Sequence, residues 1–392
     1  MELGKGKTTR RAYGLDEIAL SPSLKTLDPE CVDISVEIAG IKMELPIFGA
    51  AMDGVISPTT AALFGQLGGI GVLNLQGVWT RYKDAEKILE KITSVGREEY
   101  VQLMQEVYKE PVKDELVIQR IKEIKACTGA VGRPTAPVVV SSTPQQASHL
   151  AALAEQAGAD AFLVQSTVVS TQHVSKTGEA LDLVKLCSDR KIPIMVGNCV
   201  TFEVALRLIE TGVQAVFVGI GPGAACTSRG VLGVGVPMAT AIADCAAARD
   251  EYFQKTRKYV AIVADGGMAV GGDICKAIAC GADAVMIGSP FAKASESPGR
   301  GFHWGMATPN AVLPRGTRIK VGTIGSLESI LQGPAVYDDG SQNFKGALQT
   351  SLGTLGAANI KEMQKIDVVI APSLLTEGKV YQKAQSLGMY KS

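Results

Sequence analysis

Eight short apolar runs, most of them rich in β-branched residues, constrain the fold of this chain more than any other feature. They span residues 46–52, 68–74, 136–142, 160–166, 193–198, 214–220, 260–265 and 283–288. Continuous apolar runs of this length are typical of parallel strands that are buried on both faces. Helical patterns lie between most of them, and eight such alternations predict an α/β protein with a (β/α)₈ TIM barrel. A doubly wound open sheet is the alternative, although it rarely needs eight units built so evenly.

The overall composition excludes several classes of partner. The chain has 392 residues, 46% hydrophobic and 20% charged, with a formal net charge of zero, which is ordinary for a globular protein. No Lys/Arg cluster indicates a nucleic-acid surface, and no apolar run reaches the roughly 18 residues of a membrane span. The basic stretch 1–14 has no apolar core after it, so it does not resemble a signal peptide. We expect one barrel domain over 1–392, with neither nucleic acid nor membrane as partner.

The cysteines and histidines indicate the cellular compartment. The eight cysteines are scattered without a CxxC motif or metal-ligand spacing, and the three histidines are far apart in the sequence. This usage predicts reduced thiols in a cytoplasmic protein rather than a disulfide framework. It also argues against a His-rich metal site.

Three segments that follow predicted strands are longer than one helix requires: 78–135, 221–258 and 291–330. In a barrel such segments lie on the catalytic face, and long ones are binding loops or lids more often than accidents. In 78–135 apolar residues recur on one helical face, at Ile88, Leu89, Ile92, Leu103, Met104, Val107, Tyr108, Val117, Ile121 and Ile124. We interpret this segment as a helical insertion after strand 2 that packs on the barrel rim or on a neighbouring subunit. No strand pattern indicates an independent regulatory domain.

Two glycine-rich turns follow predicted strands 7 and 8, at ADGGM (264–268) and IGSP (287–290). Each leaves backbone N–H groups free with no Cβ in the way, and the loops after these two strands of a barrel commonly bind phosphate. The alternative is that glycine serves only the conformation of two tight turns. Asp265, at the end of strand 7, can either accept two hydrogen bonds from a vicinal diol such as a ribose or cap the next helix.

The stretch GIGPGAACTSRG (219–230) places one cysteine in a glycine-rich loop after predicted strand 6. Structural cysteines usually lie within apolar helices or strands, whereas Cys226 has Thr227, Ser228 and Arg229 beside it. Hydroxyl groups and a nearby cation suit a reactive thiolate. From the residues alone, a nucleophile and a small buried side chain both remain open.

Four stretches resemble the IMP dehydrogenase/GMP reductase family: 12–23 (AYGLDEIALSPS), 50–74, 196–237 and 263–299. The match covers the whole predicted barrel in the right order. The resemblance implies a (β/α)₈ barrel that forms a homotetramer or homooctamer and acts on purine nucleotides. IMP dehydrogenases usually carry a pair of regulatory nucleotide-binding (CBS) modules in the place of residues 78–135. This chain therefore resembles an IMP dehydrogenase-related branch that lacks those modules.

The resemblance assigns roles to particular residues. Cys226 matches the cysteine that attacks C2 of the purine and gives a covalent purine–enzyme intermediate. Asp265 matches the acid that binds the ribose diol. The other implied substrate-binding residues are Met52 and Asn198 beside the purine, Gly267, Gly288 and Ser289 in the phosphate cradle, and Gly305 with Met306 in a turn that faces the substrate.

A nicotinamide cofactor and a monovalent cation are also implied by the resemblance. Gln165 and Ser166 fall where the family contacts the nicotinamide of NADPH or NAD(H), although the acid usual at Gln165 in dehydrogenases is absent. Many dehydrogenases of the family bind K⁺, and reductases often do without it. The matching cation site consists of the carbonyls of Gly221, Gly223 and Cys226 and, from a neighbouring subunit, Glu377.

Some residues of the cysteine loop and its neighbours depart from the family pattern. The phosphate-binding serine two residues before Cys226 is Ala224 here, so one hydroxyl contact is lost. The threonine two residues after it is Ser228, which keeps the hydroxyl. A tyrosine usual before the Gly-Met turn corresponds to His303.

A short active-site flap, 300–325, is expected where the family has a longer one. Within 307–322 we find no Arg-Tyr pair of the dehydrogenase type, and the flap Glu common to both enzyme types is replaced by Arg315. We interpret Arg315 and Arg318 either as residues of a solvated loop or as a cationic lid over a phosphate-bearing ligand.

The flap composition bears on the direction of the reaction. Both reactions of the family pass through the cysteine adduct and exchange hydride with a nicotinamide. A dehydrogenase must hydrolyse the adduct with activated water, whereas a reductase expels ammonia from GMP and needs no water-activating pair. The missing pair therefore predicts a GMP reductase, in which Ser228 or Thr227 with a neighbouring acid protonates the leaving amine. IMP dehydrogenase is the alternative, and a non-catalytic purine-nucleotide-binding or regulatory protein is the alternative from another class.

Overall fold

The computed structural model describes residues 1–127, 136–176, 180–305, 317–373 and 376–388. Eight parallel strands close into a barrel and pair in the order in which they occur along the chain. They are β1 Ile47–Gly49, β2 Ile70–Asn74, β3 Val139–Ser142, β4 Ala161–Gln165, β5 Ile194–Cys199, β6 Ala215–Val218, β7 Ala261–Asp265 and β8 Ala284–Ile287. The pairing of β8 with β1 closes the sheet. The (β/α)₈ prediction is confirmed, and the open sheet is excluded because it would leave two unpaired edges.

Fifteen α-helices lie in the described residues outside this barrel. They are α1 Pro58–Gln66, α2 Ala85–Ser94, α3 Arg97–Val107, α4 Asp114–Cys127, α5 Ala147–Ala157, α6 Leu183–Asp189, α7 Phe202–Ile209, α8 Ser228–Leu232, α9 Met238–Thr256, α10 Gly271–Ala279, α11 Ser289–Ala292, α12 Leu327–Leu331, α13 Phe344–Thr354, α14 Ile360–Met363 and α15 Val380–Ala384. Single 3₁₀ turns lie at Leu15–Glu17, Pro29–Cys31, Val78–Thr80 and Pro144–Gln146. Among the described residues, no helix combines the length and apolarity that crossing a membrane requires.

Four two-stranded antiparallel sheets lie outside the barrel in the described residues. They pair Glu2–Gly4 with Lys7–Thr8, Val36–Ile38 with Ile41–Met43, Ile18–Leu20 with Val368–Ile370, and Phe302–Trp304 with Arg318–Lys320. The third of them joins the beginning of the chain to its C-terminal part. The fourth pairs two strands within the segment that follows β8.

The inside of the barrel is filled with side chains. Phe48 of β1 and Phe217 of β6 meet edge to face, with ring centroids 5.6 Å apart. Met195 and Met286 are buried in the same cluster. Gly197 of β5 makes room for this packing, because a Cβ there would lie 2.4 Å from the Cβ of Phe217. A filled interior leaves the carboxyl ends of the strands as the place where a ligand can bind.

The segment after β2 forms the three helices α2, α3 and α4. Helix α4 packs against α1 and α5 and therefore serves as the connection from β2 to β3, whereas α2 and α3 are additional. Apolar residues of all three helices belong to the same buried cluster as the helices around the barrel. Arg120 of α4 donates hydrogen bonds to the carbonyls of Trp79 (3.0 Å) and Lys83 (2.9 Å), which fixes the beginning of the segment.

The described part of the flap is attached to this helical segment. Arg318 donates a hydrogen bond of 2.8 Å to the carbonyl of Val95, between α2 and α3, and its guanidinium lies 4.9 Å from the ring centroid of Tyr100. Arg318 is thus partly buried against an aromatic ring. Both interpretations given to it from sequence, a solvated loop or a lid over phosphate, are wrong, because backbone carbonyls and ring faces take up its charge. Arg315 lies outside the described residues.

Candidate active site

A cavity of about 1050 Å³ opens at the carboxyl ends of the barrel strands. Ligand pockets are typically about 300–1,000 Å³, so this one has room for a nucleotide and for part of a second ligand. Most of the residues singled out from sequence line it: Met52, Gln165, Ser166, Asn198, Gly221, Gly223, Cys226, Asp265, Gly267, Gly288, Ser289 and Gly305. One site therefore collects residues from the ends of strands that are far apart in the sequence.

The cysteine loop follows β6 and is braced by backbone contacts. The Cys226 N–H donates to the carbonyl of Gly223 at 3.0 Å, and the Cys226 Sγ lies 3.3 Å from the Ser228 Oγ. Arg229 donates to the carbonyls of Ile220 and Val236, each at 3.0 Å, and so ties the two ends of the loop together. Cys226 is half-buried and faces the cavity, which suits a nucleophile better than a core residue.

Thr227 and Ser228, the predicted partners of Cys226 in catalysis, differ from it in position. Ser228 is fully buried, and its hydroxyl accepts a hydrogen bond from the cysteine thiol. Neither residue is among the described residues that line the cavity. Ser228 therefore stands behind Cys226, on the side away from a bound substrate.

The cysteine loop and the turn after β7 are in close contact. Gly219 has a φ of +151°, and a Cβ on it would lie 2.2 Å from the carbonyl oxygen of Asp265. Gly267 has a φ of +78°, and a Cβ there would lie 2.9 Å from the Cβ of Pro222. Both glycines are needed for backbone conformation and for close approach, and their contact fixes the distance between the cysteine loop and the predicted phosphate turn.

Asp265 is held by two amide side chains. Its Oδ2 accepts hydrogen bonds from Asn198 Nδ2 at 2.7 Å and from Gln165 Nε2 at 2.9 Å. Its Oδ1 accepts none from the part of the chain that the structure describes. Burial raises the pKa of Asp265 to about 6, against the effect of the two amide donors. The residue does not cap the next helix, because α10 begins at Gly271 with Val270 at its N-cap position.

The turn after β8 contains a hydroxyl–imidazole pair. Ser289 Oγ lies 3.0 Å from His303 Nε2. Burial lowers the pKa of His303 to about 4, so its imidazole is neutral at physiological pH. Met52 packs beside this turn, because a Cβ on Gly288 would lie 2.9 Å from its Sδ. The turn thus offers backbone N–H groups and a hydroxyl without a positive side chain.

The predicted cofactor and cation residues lie in different settings. Ser166 exchanges backbone hydrogen bonds with β5, where its N–H donates to Gly197 and its carbonyl accepts from Asn198. Glu377 is exposed in the C-terminal segment and is not among the described residues that line the cavity, so its predicted role needs a neighbouring subunit. Within the described ranges, no group of three or more His, Cys, Asp and Glu side chains can hold a metal ion. Met306 lies outside the described residues.

A buried acid directly behind the cavity wall was missed by the sequence reasoning. Asp53 Oδ2 accepts a hydrogen bond of 2.5 Å from the Tyr108 hydroxyl, and Tyr108 lines the cavity together with Arg81. Asp53 belongs to the stretch 50–74 that resembles the family, but the resemblance assigns a role there only to its neighbour Met52. Tyr108 was assigned to the apolar face of a helix, because periodicity does not show that a ring's hydroxyl has a distant partner.

Comparison with known proteins agrees with this geometry. The family model described as IMP dehydrogenase/GMP reductase domain matches residues 12–380. An uncharacterized oxidoreductase of Mycolicibacterium smegmatis is 36% identical over 94% of this chain and 99% of its own. An inosine-5'-monophosphate dehydrogenase of Aquifex aeolicus is 33% identical over 65% of this chain and 52% of its own.

A solved structure gives the same result for the fold and the family. The crystal structure of an IMP dehydrogenase/GMP reductase-like protein from Corynebacterium glutamicum superposes with a TM-score of 0.88 and 34% sequence identity. The match covers 94% of this chain and 97% of that one. With the closed barrel, the cysteine loop and the family model in agreement, this chain belongs to the IMP dehydrogenase/GMP reductase family.

Proposed function

We propose that this chain is an oxidoreductase of purine 5'-monophosphates that works through a covalent bond between Cys226 Sγ and C2 of the purine. One observation carries the proposal: the Cys226 loop, Asp265 and the glycine turns after β7 and β8 surround a single cavity. A nucleophile on one side and groups suited to a ribose and a phosphate on the other match a 5'-nucleotide.

The nucleotide would be held mainly by neutral groups and by one carboxylate. The free Oδ1 of Asp265 faces a ribose diol, since its Oδ2 is already occupied by Asn198 and Gln165. Backbone N–H groups of the two glycine turns and the Ser289 hydroxyl accommodate the phosphate. The proposed contacts are Met52 and Asn198 with the purine, Asp265 with the ribose, Gly267, Gly288 and Ser289 with the phosphate, and the Gly305–Met306 turn with the base.

The other half of the cavity fits a nicotinamide cofactor, NADPH or NAD(H). The carboxyl ends of β2, β3 and β4 line it with amide and hydroxyl groups, among them Asn74, Ser142, Gln165 and Ser166. Such uncharged donors and acceptors suit a carboxamide and ribose hydroxyls. The cofactor, when bound, supplies hydride exchange with C2. The protein's task is to place the purine and the nicotinamide face to face.

The geometry best supports the dehydrogenase direction, from IMP to XMP. Hydrolysis of the cysteine adduct requires a group that takes a proton from water. The composition of 307–322 predicts no such group in the flap, but the cavity wall contains Tyr108 hydrogen-bonded to Asp53. Burial raises the pKa of Asp53 to about 6, so this carboxyl is mostly ionised near pH 7 and able to accept a proton.

GMP reductase is the second candidate, and the composition of 307–322 favours it. A reductase must protonate the leaving amine, a step that we assigned to Ser228 or Thr227. The burial of Ser228 behind the cysteine weakens that assignment. The Tyr108–Asp53 pair could also donate a proton, but only at a pH below about 6, where Asp53 is protonated. This requirement places the reductase second.

A comparison of the two substrate pairs tests the proposal. The protein is mixed with IMP and NAD⁺, and separately with GMP and NADPH, while the absorbance of the reduced nicotinamide is followed. We expect NADH to form with IMP, and no NADPH to be consumed with GMP. Consumption of NADPH with GMP would establish the reductase instead. If neither reaction proceeds and the nucleotides only raise the melting temperature, the chain is a binding protein.

The charge of Asp265 should control nucleotide affinity. Asp265→Asn removes a charge-assisted hydrogen bond to the ribose, worth about 1.5–3 kcal/mol, and we expect IMP to bind roughly 10- to 100-fold more weakly at pH 7.5. A bound diol stabilises the ionised carboxyl, so wild-type affinity should fall as the pH drops through 6. The difference in IMP affinity between the wild type and Asp265→Asn should therefore be smaller at pH 5.5 than at pH 7.5.

Calorimetric titration with IMP at both pH values measures this gap. The phosphate of IMP also titrates near pH 6, but it does so equally for both proteins, and the ratio of their affinities removes its effect. A ratio that stays the same at pH 5.5 and pH 7.5 would show that Asp265 does not bind the ribose as a carboxylate.

Assembly and a cation belong to the same proposal. Oxygen ligands from backbone carbonyls suit a hard cation. We expect K⁺ at the carbonyls of Gly221, Gly223 and Cys226, completed by Glu377 of a neighbouring copy in a homotetramer or homooctamer.

A further inference from the structure

The carboxylate of Asp53 is buried next to the cavity, and one of its two oxygens has no hydrogen-bond partner in the described residues. Asp53 is 1% exposed, and its Oδ2 accepts hydrogen bonds from the Tyr108 hydroxyl (2.5 Å) and the Val78 N–H (2.8 Å). Its Oδ1 is buried and has no partner in the described ranges. Gly77 allows this enclosure, because a Cβ there would lie 1.9 Å from that oxygen. Buried polar atoms are nearly always satisfied, so an unsatisfied one beside a cavity indicates a function.

Tyr108 connects this carboxylate to the cavity. It follows the last residue of α3 and lines the cavity, although it comes from the segment inserted after β2. Its hydroxyl donates to Asp53 and accepts from Trp304 Nε1 at 3.1 Å. A phenol has one proton and two acceptor sites, so one acceptor site is left. A short O–H···O⁻ contact of this kind is typical of a charge-assisted bond, along which a proton can move.

The charges around the pair keep its proton on the tyrosine at neutral pH. Burial raises the pKa of Asp53 to about 6, whereas the Tyr108 hydroxyl, the Val78 N–H and the charge of Arg81 oppose that rise. Burial and the carboxylate of Asp53 raise the pKa of Tyr108 well above its usual value. His303 lies in the strand Phe302–Trp304 and packs against Gly54, the residue after Asp53. Its imidazole is neutral, so it adds no positive charge near the pair. A negative charge therefore rests on Asp53, behind a neutral phenol.

We propose that Tyr108, with Asp53 as the final proton acceptor, is the group that activates water for hydrolysis of the Cys226 adduct. The inserted helices would thus supply a catalytic residue to the barrel. This role rests on the proposed dehydrogenase function. It also explains why the described flap is attached to the insertion, since Trp304 and Arg318 both contact that segment.

The step balances without an added reagent. The oxygen of water forms a bond to C2, the C2–S bond breaks, and its electron pair returns to sulfur as the Cys226 thiolate. One water proton goes to the Tyr108 oxygen while the proton of Tyr108 moves to Asp53, and the second water proton stays on the purine. No oxidation occurs here, because the hydride has left C2 in the preceding step. The thiolate and the protonated Asp53 then exchange the proton with solvent.

The test separates hydride transfer from hydrolysis in Tyr108→Phe and Asp53→Asn. The full chain is mixed rapidly with IMP and NAD⁺, and we expect both variants to give a burst of about one NADH per site at the wild-type rate. Steady-state turnover should then fall by about 10²-fold or more, the range for a lost general base. Intact-mass analysis after acid quenching should show the purine adduct accumulated on the variants. The acid-side fall of the wild-type turnover near pH 6 should be absent in Asp53→Asn.

Tyr100→Phe is the matched control. Tyr100 lies in α3, two turns before Tyr108, and is buried, but it contacts Arg318 rather than the cavity, so its variant should turn over like the wild type. Equal steady-state turnover in Tyr108→Phe and wild type overturns the role of Tyr108 alone. So does a Tyr108→Phe variant, folded by its melting temperature, that loses the burst as well. A wild type that forms no NADH at all from IMP and NAD⁺ overturns the dehydrogenase function, and this role with it.

Discussion

Replacement of Cys226 by alanine is expected to abolish turnover while nucleotide binding persists. The thiol faces the cavity from a loop whose shape is set by the Gly223 carbonyl and by Arg229, not by the sulfur itself. Alanine therefore removes the nucleophile without removing the groups proposed to hold the ribose and phosphate. Without the covalent adduct neither hydride transfer nor hydrolysis has a route, and we expect the turnover to fall more than about 10³-fold.

Two measurements check this expectation. Steady-state assays with IMP and NAD⁺ give the loss of turnover, and the rise in melting temperature with IMP gives the retained binding. Cys31→Ala is the control, because Cys31 is exposed in a 3₁₀ turn and should leave both quantities unchanged. If Cys226→Ala keeps more than a tenth of the wild-type turnover, Cys226 is not the nucleophile. If IMP binding is lost as well, the substitution has disrupted the loop. Cys226→Ser keeps a hydrogen-bond partner for Ser228, so it distinguishes the loss of the nucleophile from the loss of the loop structure.

The barrel could be predicted from sequence because its signal is local and repeated. Each of the eight apolar runs overlaps one barrel strand, and the helices between them follow from amphipathic patterns and glycine stops such as Gly158 and Gly281, which adopt left-handed conformations. Once strand order is known, barrel geometry places the end of every strand on one face. The sequence alone therefore predicts that Cys226 and Asp265 face the same cavity.

What could not be predicted depends on contacts between distant residues. Tyr108 and Asp53 are 55 residues apart, and only the packing of α3 on the barrel brings the hydroxyl to the carboxylate. The same holds for Ser228, whose side chain turns inward although its neighbour Cys226 faces the cavity. For Arg318 the sequence suggested a ligand that the structure does not support. A cation near a flap suggests a bound phosphate, but the guanidinium of Arg318 instead contacts a backbone carbonyl and an aromatic ring.

Replacement of Asp283, a buried carboxylate at the end of the barrel opposite the cavity, should lower the free energy of unfolding strongly. Asp283, just before β8, is 3% exposed. It accepts hydrogen bonds from Arg249 (3.2 Å), Tyr259 (2.7 Å) and the Ile262 N–H (2.8 Å), and it pairs with Lys361. Asp283→Ala removes the buried carboxylate that pairs with the guanidinium of Arg249 and leaves the exposed Asp250 as its acidic partner. Breaking a buried pair in this way costs about 3–5 kcal/mol of the free energy of unfolding.

Urea unfolding at pH 7 measures the loss, and Asp250→Ala is the matched control. Asp250 accepts a hydrogen bond from the same Arg249 at 2.8 Å, but its side chain is 57% exposed, so its removal should cost about 1 kcal/mol or less. Asp283→Asn keeps the volume and should lie between the two. Equal unfolding midpoints for Asp283→Ala and Asp250→Ala would mean that Asp283 does not hold this end of the barrel together.

The pH dependence of the same variants gives an independent check on the cause. Burial alone would raise the pKa of Asp283, but Arg249, Lys361 and the Ile262 N–H hold it below its usual value of 3.8. A lowered pKa in the folded protein means that the carboxylate stabilises it fully above pH 3.8, and that this stabilisation is lost as the pH falls through the lowered value. The difference between wild type and Asp283→Ala should therefore be constant from pH 8 to pH 5. A difference that already shrinks between pH 7 and pH 5 would require a group with a higher pKa than this carboxylate.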